Sequence, residues 1–365
     1  MPGPIAPRRP VSRELHGHVS VDDFGWLRHR GDPAVLEYLE AENRFTESTT
    51  AHLSDLREEI FLEIKSRVQE TDVSAPARRG KWWYGHRTEE GKQYPIFVRW
   101  PGSPDAPEEV YLDQNLLAAG QDFCAIGLIE PAKDQDLIAY SVDHSGNEAF
   151  ELRFRSLVTG EDFPDRIEST YYGGVWSTNA EWFFYTTIDE AHRPYRLWRH
   201  RLGTAPTDDI LVWQEDDERF FLEVGASRDE RFLIVHLESS TTSETRYLAT
   251  GSPEDDLAIL LPRVAGVRYQ AEPSNGEWLV VTDAEAPNGK LISLNPGEPD
   301  KVTELIGHDP RVKLARVLPF GRHLVVLGRR QGNPAITVIP DDGAPFDVAF
   351  SEPSYRLRPG DNLEY

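Results

Sequence analysis

Two different spacings of apolar residues divide this chain near residue 73. Up to that point the apolar positions recur at helical spacing: Leu56, Ile60, Ile64 and Val68 predict an amphipathic helix from Ser54 to about Val68. Beyond it, short apolar runs with a period of two alternate with turns that contain glycine or proline. The spacing predicts an N-terminal arm with helices over 1–72 and a mainly β domain over 73–365.

The N-terminal part carries further local signals. Residues 1–20 show no helical spacing and are predicted to form an extended arm. Asp32 followed by Pro33 predicts the start of a helix, because aspartate accepts a hydrogen bond at the N-cap and proline fits the first helical turn. The apolar stripe of the later helix needs a neighbouring surface to cover it.

A repeated unit runs through the β-rich part. Each unit has a polar turn, an apolar strand, a second turn and a further strand rich in aromatic or branched residues. The apolar strands begin 55, 45, 50, 46 and 46 residues apart. They are Trp82-Trp83-Tyr84, Leu137-Ile138-Ala139-Tyr140, Trp182-Phe183-Phe184-Tyr185, Phe232-Leu233-Ile234-Val235, Trp278-Leu279-Val280-Val281 and Leu324-Val325-Val326-Leu327.

Units of this length with about four strands each are typical of the blades of a β-propeller. A blade is a small twisted sheet that needs neighbours on both faces, which fits the 9 Trp, 13 Tyr and 16 Phe residues. A generic β-sandwich is the alternative, although a sandwich does not require a regular repeat of this length. The sequence predicts six blades and the bare beginning of a seventh, and therefore an incomplete ring.

Composition narrows the classes of function. The chain has 39 basic and 62 acidic residues and a net charge of −23, and such a field repels nucleic acid and anionic membranes and attracts cationic ligands. The single cysteine, Cys124, excludes a disulfide within the chain and is expected to be a small buried residue. Neither a secretory signal nor an apolar run of membrane-spanning length is recognisable, so the cytoplasm is the predicted compartment.

Three blocks of the sequence resemble a known family. The first runs from His16 to Asn43 and includes Asp22-Asp23-x-x-Trp26-Leu27-Arg28 followed by Asp32-Pro33; the second runs from Trp83 to Ile96, and the third from Leu137 to Glu148. On these blocks the chain resembles the N-terminal region of the prolyl oligopeptidase family of serine peptidases, and most of all its oligopeptidase B branch.

The resemblance implies an architecture and an activity. In this family a seven-bladed propeller covers an α/β-hydrolase domain, the N-terminal helices pack on that domain, and short peptides are cleaved, in the oligopeptidase B branch after Lys or Arg. The resemblance therefore implies that this chain supplies substrate gating and lacks the α/β-hydrolase catalytic domain. Its implied partners are short basic peptides and the hydrolase half, in the same chain or in a separate one.

No catalytic residue is predicted in the chain. A serine peptidase needs a nucleophile, a histidine base and a carboxylate, and an α/β-hydrolase carries its serine in a Gly-x-Ser-x-Gly turn. The nearest match, Gly225-Ala226-Ser227-Arg228-Asp229, lacks the second glycine and is predicted to be a blade turn that leads into a strand. Asp143-His144-Ser145 is predicted to lie on one strand, where adjacent side chains point to opposite faces and cannot form a relay. The chain alone is predicted to be inactive.

Other candidate sites are equally weak. His16-Gly17-His18 lacks further metal ligands at suitable spacing and is interpreted as a loop, and His308-Asp309-Pro310 as a turn. Arg78-Arg79-Gly80-Lys81 precedes an aromatic pair, but the acidity of the chain favours a solvated turn over a nucleic-acid site. The sequence predicts no metal site, no cofactor, and neither nucleic acid nor membrane as a partner.

Two functions remain open at this level. The chain is either the propeller part of an oligopeptidase B-like serine endopeptidase, or a stand-alone propeller binding module or inactive relic. In both cases an incomplete ring leaves two blade faces without neighbours. The isolated chain is therefore expected to be poorly stable, to aggregate, or to bind a partner that covers those faces.

Overall fold

The structure is a computed structural model that describes residues 2–357, 359–360, 362 and 364–365, with the backbone alone at 299 and 300. The chain forms two compact units, Met1–Glu70 and Thr71–Tyr365.

The first unit begins with a hairpin. Strands β1 (Val11–Leu15) and β2 (His18–Asp22) pair antiparallel. The residues predicted to be an unpaired extended arm are therefore extended but form a hairpin in part, and the expectation is corrected to that extent. The hairpin closes at Gly17, whose φ of +78° is a conformation that glycine adopts without a steric penalty.

Two helices follow the hairpin. A 3-10 turn at Gly25–Arg28 leads to α1 (Pro33–Thr50), which begins where the sequence predicts, because the Asp32 carboxylate accepts a hydrogen bond of 2.9 Å from the Ala34 backbone N–H. A second 3-10 turn at Ala51–Leu53 leads to α2 (Ser54–Lys65).

Helix α2 ends three residues before the predicted end at Val68. Its apolar stripe of Leu56, Ile60, Ile64 and Val68 is about half exposed at every position. The predicted stripe therefore exists, but the first unit does not cover it.

The second unit consists of antiparallel strands in six groups, here named blades 1 to 6. Blade 1 contains β3 (Asp72–Val73), β4 (Ala77–Arg79), β5 (Trp82–Thr88), β6 (Ile96–Pro101) and β7 (Glu109–Asp113), followed by the short helix α3 (Gln114–Leu117). Blades 2 and 3 contain β8 (Ala125–Pro131), β9 (Leu137–Asp143), β10 (Phe150–Ser156), β11 (Asp162–Trp176), β12 (Trp182–Ile188), β13 (Pro194–Arg201) and β14 (Ile210–Gln214), with a 3-10 turn at Pro206–Asp208.

The remaining blades have four strands each. Blade 4 contains β15 (Phe221–Ala226), β16 (Phe232–Glu238), β17 (Ser243–Ala249) and β18 (Ala258–Leu261). Blade 5 contains β19 (Tyr269–Ser274), β20 (Glu277–Thr282), β21 (Lys290–Asn295) and β22 (Glu298–Ile306). Blade 6 contains β23 (Val312–Phe320), β24 (His323–Arg330), β25 (Asn333–Pro340) and β26 (Phe346–Asp347), and the described residues beyond it contain no further strand.

The six apolar runs predicted from the repeat are confirmed as the corresponding strands of the six blades: β5, β9, β12, β16, β20 and β24. In β16 the side chains of Leu233, Val235 and Leu237 are fully buried on one face, while Phe232 and Ile234 pack on the other. Both faces of such a strand are covered by neighbouring blades, which explains why its sequence is apolar almost throughout.

Blades 2 and 3 share strand β11. Its first half pairs with β10 and its second half with β12, so the two blades form one sheet of seven strands. The strand changes partners around Thr170, near Ser169 and Gly173, which both have positive φ. At Gly173 a Cβ atom would lie 2.8 Å from the Val224 carbonyl oxygen of blade 4, so that blade can approach only a glycine.

Each blade packs on the next through an apolar cluster. Between blades 2 and 3, for example, Phe154 contacts Trp176 and Phe183 edge-to-face with ring centroids 5.5 Å apart. Comparable clusters join blades 1 and 2, 3 and 4, 4 and 5, and 5 and 6. The core is therefore a series of layers between successive sheets, as the propeller prediction requires.

The blades are arranged radially. Side chains of blade 1 touch blade 4, and a side chain of blade 4 touches blade 6, although these blades are not neighbours in the series. A linear stack or a two-sheet sandwich could not bring these pairs together. The mainly β propeller fold predicted from the repeat is thus confirmed.

Candidate functional site: the hub of the propeller

A turn, here called the inner turn, joins β4 to β5 in blade 1 and the first two strands in each of blades 2 to 6, and several inner turns meet at one end of the ring. In blades 2, 3 and 4 the inner turns have the same local structure. Gln135, Ala180 and Glu230 each adopt a left-handed φ of 55–64° and donate their backbone N–H to the carbonyl oxygen three residues earlier. This repeated turn carries the polar side chains that line the centre.

One guanidinium connects three blades at this end. Arg79, at the end of β4 in blade 1, lies 2.9 Å from the Glu130 carboxylate of blade 2 and 2.9 Å from the Glu230 carboxylate of blade 4. The Arg79 side chain is 16% exposed, and those of Glu130 and Glu230 are about 30% exposed. These three residues are named the hub cluster. Arginine suits this position because its planar group can donate to two carboxylates at once.

Backbone contacts hold the hub cluster in place. The Gln135 side-chain amide of blade 2 donates to the Arg79 carbonyl oxygen at 2.9 Å. The Thr250 hydroxyl donates to the Glu230 carbonyl oxygen at 2.9 Å, and the Thr178 backbone N–H of blade 3 donates to the Thr250 carbonyl oxygen at 2.9 Å. All four of the first blades are therefore joined by hydrogen bonds around Arg79.

Blade 6 is joined to blade 4 by a second arginine. Arg228 Nε donates to the Pro319 carbonyl oxygen at 2.9 Å, and its guanidinium lies 4.2 Å from the centre of the Phe320 ring. Beside the hub cluster a cavity of about 30 Å³ remains, lined by residues of blades 1 to 4. That volume has room for water but not for a peptide chain.

Burial and ion pairing act in opposite directions on these groups. Burial alone would lower the pKa of Arg79, but the charges of Glu130 and Glu230 outweigh it and raise that pKa above its ordinary value. Burial raises the pKa of the Glu130 carboxyl, and the Arg79 charge only partly offsets this effect. Arg79 therefore stays charged, and its presence determines whether Glu130 can stay charged as well.

The interpretation of Arg78-Arg79-Gly80-Lys81 as a solvated turn is wrong for one residue. Arg78 and Lys81 have side chains 55% and 65% exposed, as expected, but Arg79 is largely buried in the hub cluster. Sequence reasoning also missed both carboxylates. Glu230 is 151 residues from Arg79, and no local spacing connects two such positions.

The Gly-x-Ser-like segment is a blade turn, as predicted. Ser227 is buried, its hydroxyl donates to the Asp229 carboxylate at 2.6 Å, and the Phe232 backbone N–H donates to the Ser227 hydroxyl oxygen at 3.0 Å. These bonds fix the turn before β16. The Ser227 hydroxyl is therefore hydrogen-bonded within its own turn, unlike the hydroxyl of a serine that is free to act as a nucleophile.

Asp143, His144 and Ser145 do not lie on one strand, which corrects that expectation. Asp143 ends β9 and the other two lie in the following turn. The Asp143 carboxylate accepts from the Ser145 hydroxyl at 2.6 Å, whereas the His144 ring lies 3.1 Å from the Phe123 carbonyl oxygen. The histidine thus has a different partner from the other two residues.

The remaining candidates have structural surroundings. His16 and Gly17 form the turn of the first hairpin, with His18 at the start of β2. Asp309 lies in a turn closed by the Arg311 backbone N–H, which donates to its carboxylate at 2.8 Å. Cys124 is buried, as predicted, and burial raises the pKa of its thiol. The predictions that the chain holds no catalytic residue and no cofactor remain predictions.

Two absences apply to the part of the chain that the structure describes. No three His, Cys, Asp or Glu side chains converge there in a way that could hold a metal ion. No helix there has the length and apolar character needed to cross a membrane.

Comparisons with known proteins agree with this fold. The family described as the N-terminal β-propeller domain of prolyl oligopeptidase matches residues 4–357. The chain is 33% identical to Protease 2 of Moraxella lacunata, over 97% of this chain and 52% of that protein. It is 31% identical to dipeptidyl aminopeptidase BI of Pseudoxanthomonas mexicana, over 98% and 52% respectively.

Solved structures give the same result. Oligopeptidase B from Leishmania major superposes with a TM-score of 0.91 at 29% identity, covering 96% of this chain and 54% of that one. Oligopeptidase B from Trypanosoma brucei, in its closed form with covalently bound antipain, gives 0.90 at 33% identity with the same coverage. The chain spans about half the length of these relatives. It belongs to the prolyl oligopeptidase family and comprises the N-terminal β-propeller region of that family.

Proposed function

We propose that this chain is the substrate-gating propeller of an oligopeptidase B-like serine endopeptidase that cleaves short peptides after Lys or Arg. The hub cluster is the observation that carries the gating role. It joins blades 1, 2 and 4 across the centre of the ring and leaves a cavity of about 30 Å³ beside it. Such an end would exclude folded proteins and long chains, so that only small peptides reach a catalytic centre beyond it.

The relatives support peptide hydrolysis as the reaction. They are Protease 2, dipeptidyl aminopeptidase BI and oligopeptidase B, and each is about twice as long as this chain. The reaction therefore needs a hydrolase half that supplies the Ser, Asp and His residues, in the same chain or a separate one.

The exposed face of α2 supports a partner for the first unit. Leu56, Ile60, Phe61 and Ile64 are each about half exposed along this helix. An apolar stripe of this kind gains stability when it is covered. We assign it to contact with the hydrolase half, for which residues 1–72 would serve as a docking element.

The preference for basic peptides has electrostatic support. The chain carries a net charge of −23, and a field of that sign raises the local concentration of cationic peptides. Since the field acts over the range of the ionic screening length, this contribution should weaken as salt is added.

Complementation tests the proposal. The chain is co-expressed with the catalytic half of M. lacunata Protease 2, and the purified mixture is assayed for a stable complex and for hydrolysis of a fluorogenic peptide after Arg. We expect both a complex and activity that neither half shows alone. A mixture in which the halves neither associate nor gain activity would contradict the proposal and favour a stand-alone binding module or relic.

The gating role has a separate test in the reconstituted complex. Arg79→Met should increase cleavage of long unfolded chains relative to a short peptide, because it removes the charge that joins the blades. The matched control is Arg219→Met, whose side chain is 81% exposed and pairs with Asp217. An unchanged ratio of long to short substrate in the Arg79 variant would count against gating at the hub.

A further inference from the structure

A second, larger cavity is lined by residues of blades 4, 5 and 6. Its volume is about 250 Å³, and it is here named the polar cavity. The polar side chains that line it are Glu223, His236, Thr245, Gln270, Glu272 and Arg316.

The polar cavity interrupts an otherwise apolar blade interface. Glu223, His236 and Thr245 are direct cross-strand partners in β15, β16 and β17, so their side chains share one face of blade 4. Two residues before His236 on the same face of β16, Ile234 is paired with Tyr247, and these side chains pack in the apolar cluster with blade 5. At this level of the blade, polar side chains that line the polar cavity thus take the place of apolar side chains that pack on blade 5.

Several of these polar groups lack partners within the part of the chain that the structure describes. The Oε2 atom of Glu272 is buried without a hydrogen bond, while its Oε1 atom lies 3.6 Å from the Arg316 guanidinium. The His236 Nε2 atom is also buried without a hydrogen bond, with the Glu238 carboxylate 3.5 Å away. The Glu223 carboxylate makes neither a hydrogen bond nor an ion pair there. A buried polar group without a partner costs free energy, so the Glu272 Oε2 and His236 Nε2 atoms favour a ligand that supplies donors, whereas Glu223 is exposed and carries no such cost.

The charges select the kind of ligand. Among the residues that line the polar cavity, Glu223 and Glu272 oppose the single charge of Arg316, so the lining is net acidic, while Arg228, which is not part of the lining, also acts on Glu272. Burial raises the pKa of the Glu272 carboxyl, and the Arg316 charge, together with the Arg228 backbone N–H and charge, only partly offsets this, so an additional cation would stabilise its charged form. A guanidinium presents five N–H donors in one plane and can satisfy two carboxylates and a ring nitrogen together.

We propose that the polar cavity is a binding site, within the propeller, for the basic side chain of a peptide. The site needs no contribution from a catalytic domain, because all of its groups come from blades 4, 5 and 6. It deepens the proposed function, since it gives peptides with Arg or Lys a holding point in the propeller itself. Only the identification of the ligand as a peptide substrate rests on that function.

Calorimetry on the chain tests the site directly. The probe is Nα-acetyl-arginine amide, and the comparison ligand is Nα-acetyl-citrulline amide, which has nearly the same shape without the charge. We expect the arginine probe to bind at least about tenfold more tightly than the citrulline probe, as the loss of one charge-assisted interaction predicts. Equal binding of the two probes, or no binding of either, would overturn the proposal.

Substitutions localise the binding. Glu272→Gln and Glu223→Gln should each weaken binding of the arginine probe by about tenfold or more. The matched control is Glu254→Gln, because Glu254 is exposed and does not line the polar cavity. Arginine binding that persists unchanged in both cavity variants would place the probe elsewhere and refute the assignment.

Two features keep the test decisive. If Glu272→Gln fails to fold, judged by circular dichroism, Glu223→Gln still decides the result, because Glu223 is an exposed position of β15. The outcome is also separable from complementation, since calorimetry requires no hydrolysis. If the probe binds but the halves do not complement each other, the cation site is supported and the peptidase function is contradicted. If the halves complement each other but the probe does not bind, the peptidase function is supported and the cation site is contradicted.

Discussion

A buried histidine between two carboxylates offers a quantitative test of the structure. His200 in β13 is fully buried, with its Nδ1 atom 2.7 Å from the Asp209 carboxylate and its Nε2 atom 3.3 Å from the Asp165 carboxylate. The Tyr185 hydroxyl donates to Asp209 at 2.7 Å, and the Gly203 backbone N–H donates to Asp165 at 2.7 Å. Two buried carboxylates thus depend on one imidazole for a compensating charge.

His200→Ala should destabilise the chain strongly. Removing one partner of a buried ion pair typically costs about 3–5 kcal/mol, because a charge is left in the interior without compensation. The variant also loses the stacking of the His200 ring on Phe154, whose centroid is 5.4 Å away. A loss of this size is a large share of the roughly 5–15 kcal/mol that stabilises a typical domain.

The pH dependence has a defined sign. Burial alone would lower the pKa of His200, but Asp209 first and Asp165 second outweigh it and raise that pKa above its ordinary value near 6.5. The folded chain therefore binds this proton more tightly than the unfolded chain does. The resulting stability is complete below about pH 6.5 and is lost as pH rises through the folded-state pKa. The nearby Tyr185 hydroxyl has a pKa raised by burial and by its hydrogen bond to Asp209.

Urea unfolding, followed by tryptophan fluorescence over a range of pH, measures these effects. The free energy of unfolding of the parent chain should contain a component that falls above neutral pH, and His200→Ala should lack it. Asp209→Asn provides the control. In the double variant His200→Ala/Asp209→Asn, the neutral asparagine side chain should recover part of the stability lost in His200→Ala, so the two substitutions should show a coupling energy of about 1 kcal/mol or more. A cost below about 1 kcal/mol for His200→Ala, or strictly additive effects, would refute the reasoning.

Further variants test the blade interfaces, the hub and the thiol. Phe154→Ala should lower the free energy of unfolding by about 3–5 kcal/mol in urea titrations, because it empties a fully buried site between blades 2 and 3; a loss under about 1 kcal/mol would contradict this packing. Arg79→Met should cost about 1–3 kcal/mol by the same measurement while Arg219→Met changes little, and equal effects would remove the special role of the hub cluster. Cys124 should react with a thiol reagent far more slowly in the folded chain than in urea, and equal rates would show that it is accessible.

Local features of this protein follow from its sequence. The Asp32 N-cap, the amphipathic stripe of α2 and the six apolar strands lie where the spacing predicts. These features depend on interactions between residues close in the chain, or on the need to cover both faces of a strand, and both leave a periodic pattern. The sequence predicts the end of α2 three residues too late, because the apolar spacing continues to Val68 after the helix has ended at Lys65.

The sequence gives little indication of the hub cluster or of the polar cavity. His236 occupies a position in β16 where Phe232 and Ile234 set an apolar pattern, and that break is the one local sign of the polar cavity. Nothing comparable marks Glu130, which is the last residue but one of β8. A single strand shows that a side chain is polar but not which group it will meet.

The sequence by itself determined the repeat, the strands and therefore the propeller, because each blade is built from contacts within about 50 residues. Only the tertiary structure decided that Arg79 meets Glu130 and Glu230, since the curvature of the ring brings together blades that are far apart along the chain. The same holds for β11, which serves two blades because the sheet continues through it. Partners across the ring are set by its geometry, and no periodic spacing along the chain can encode them.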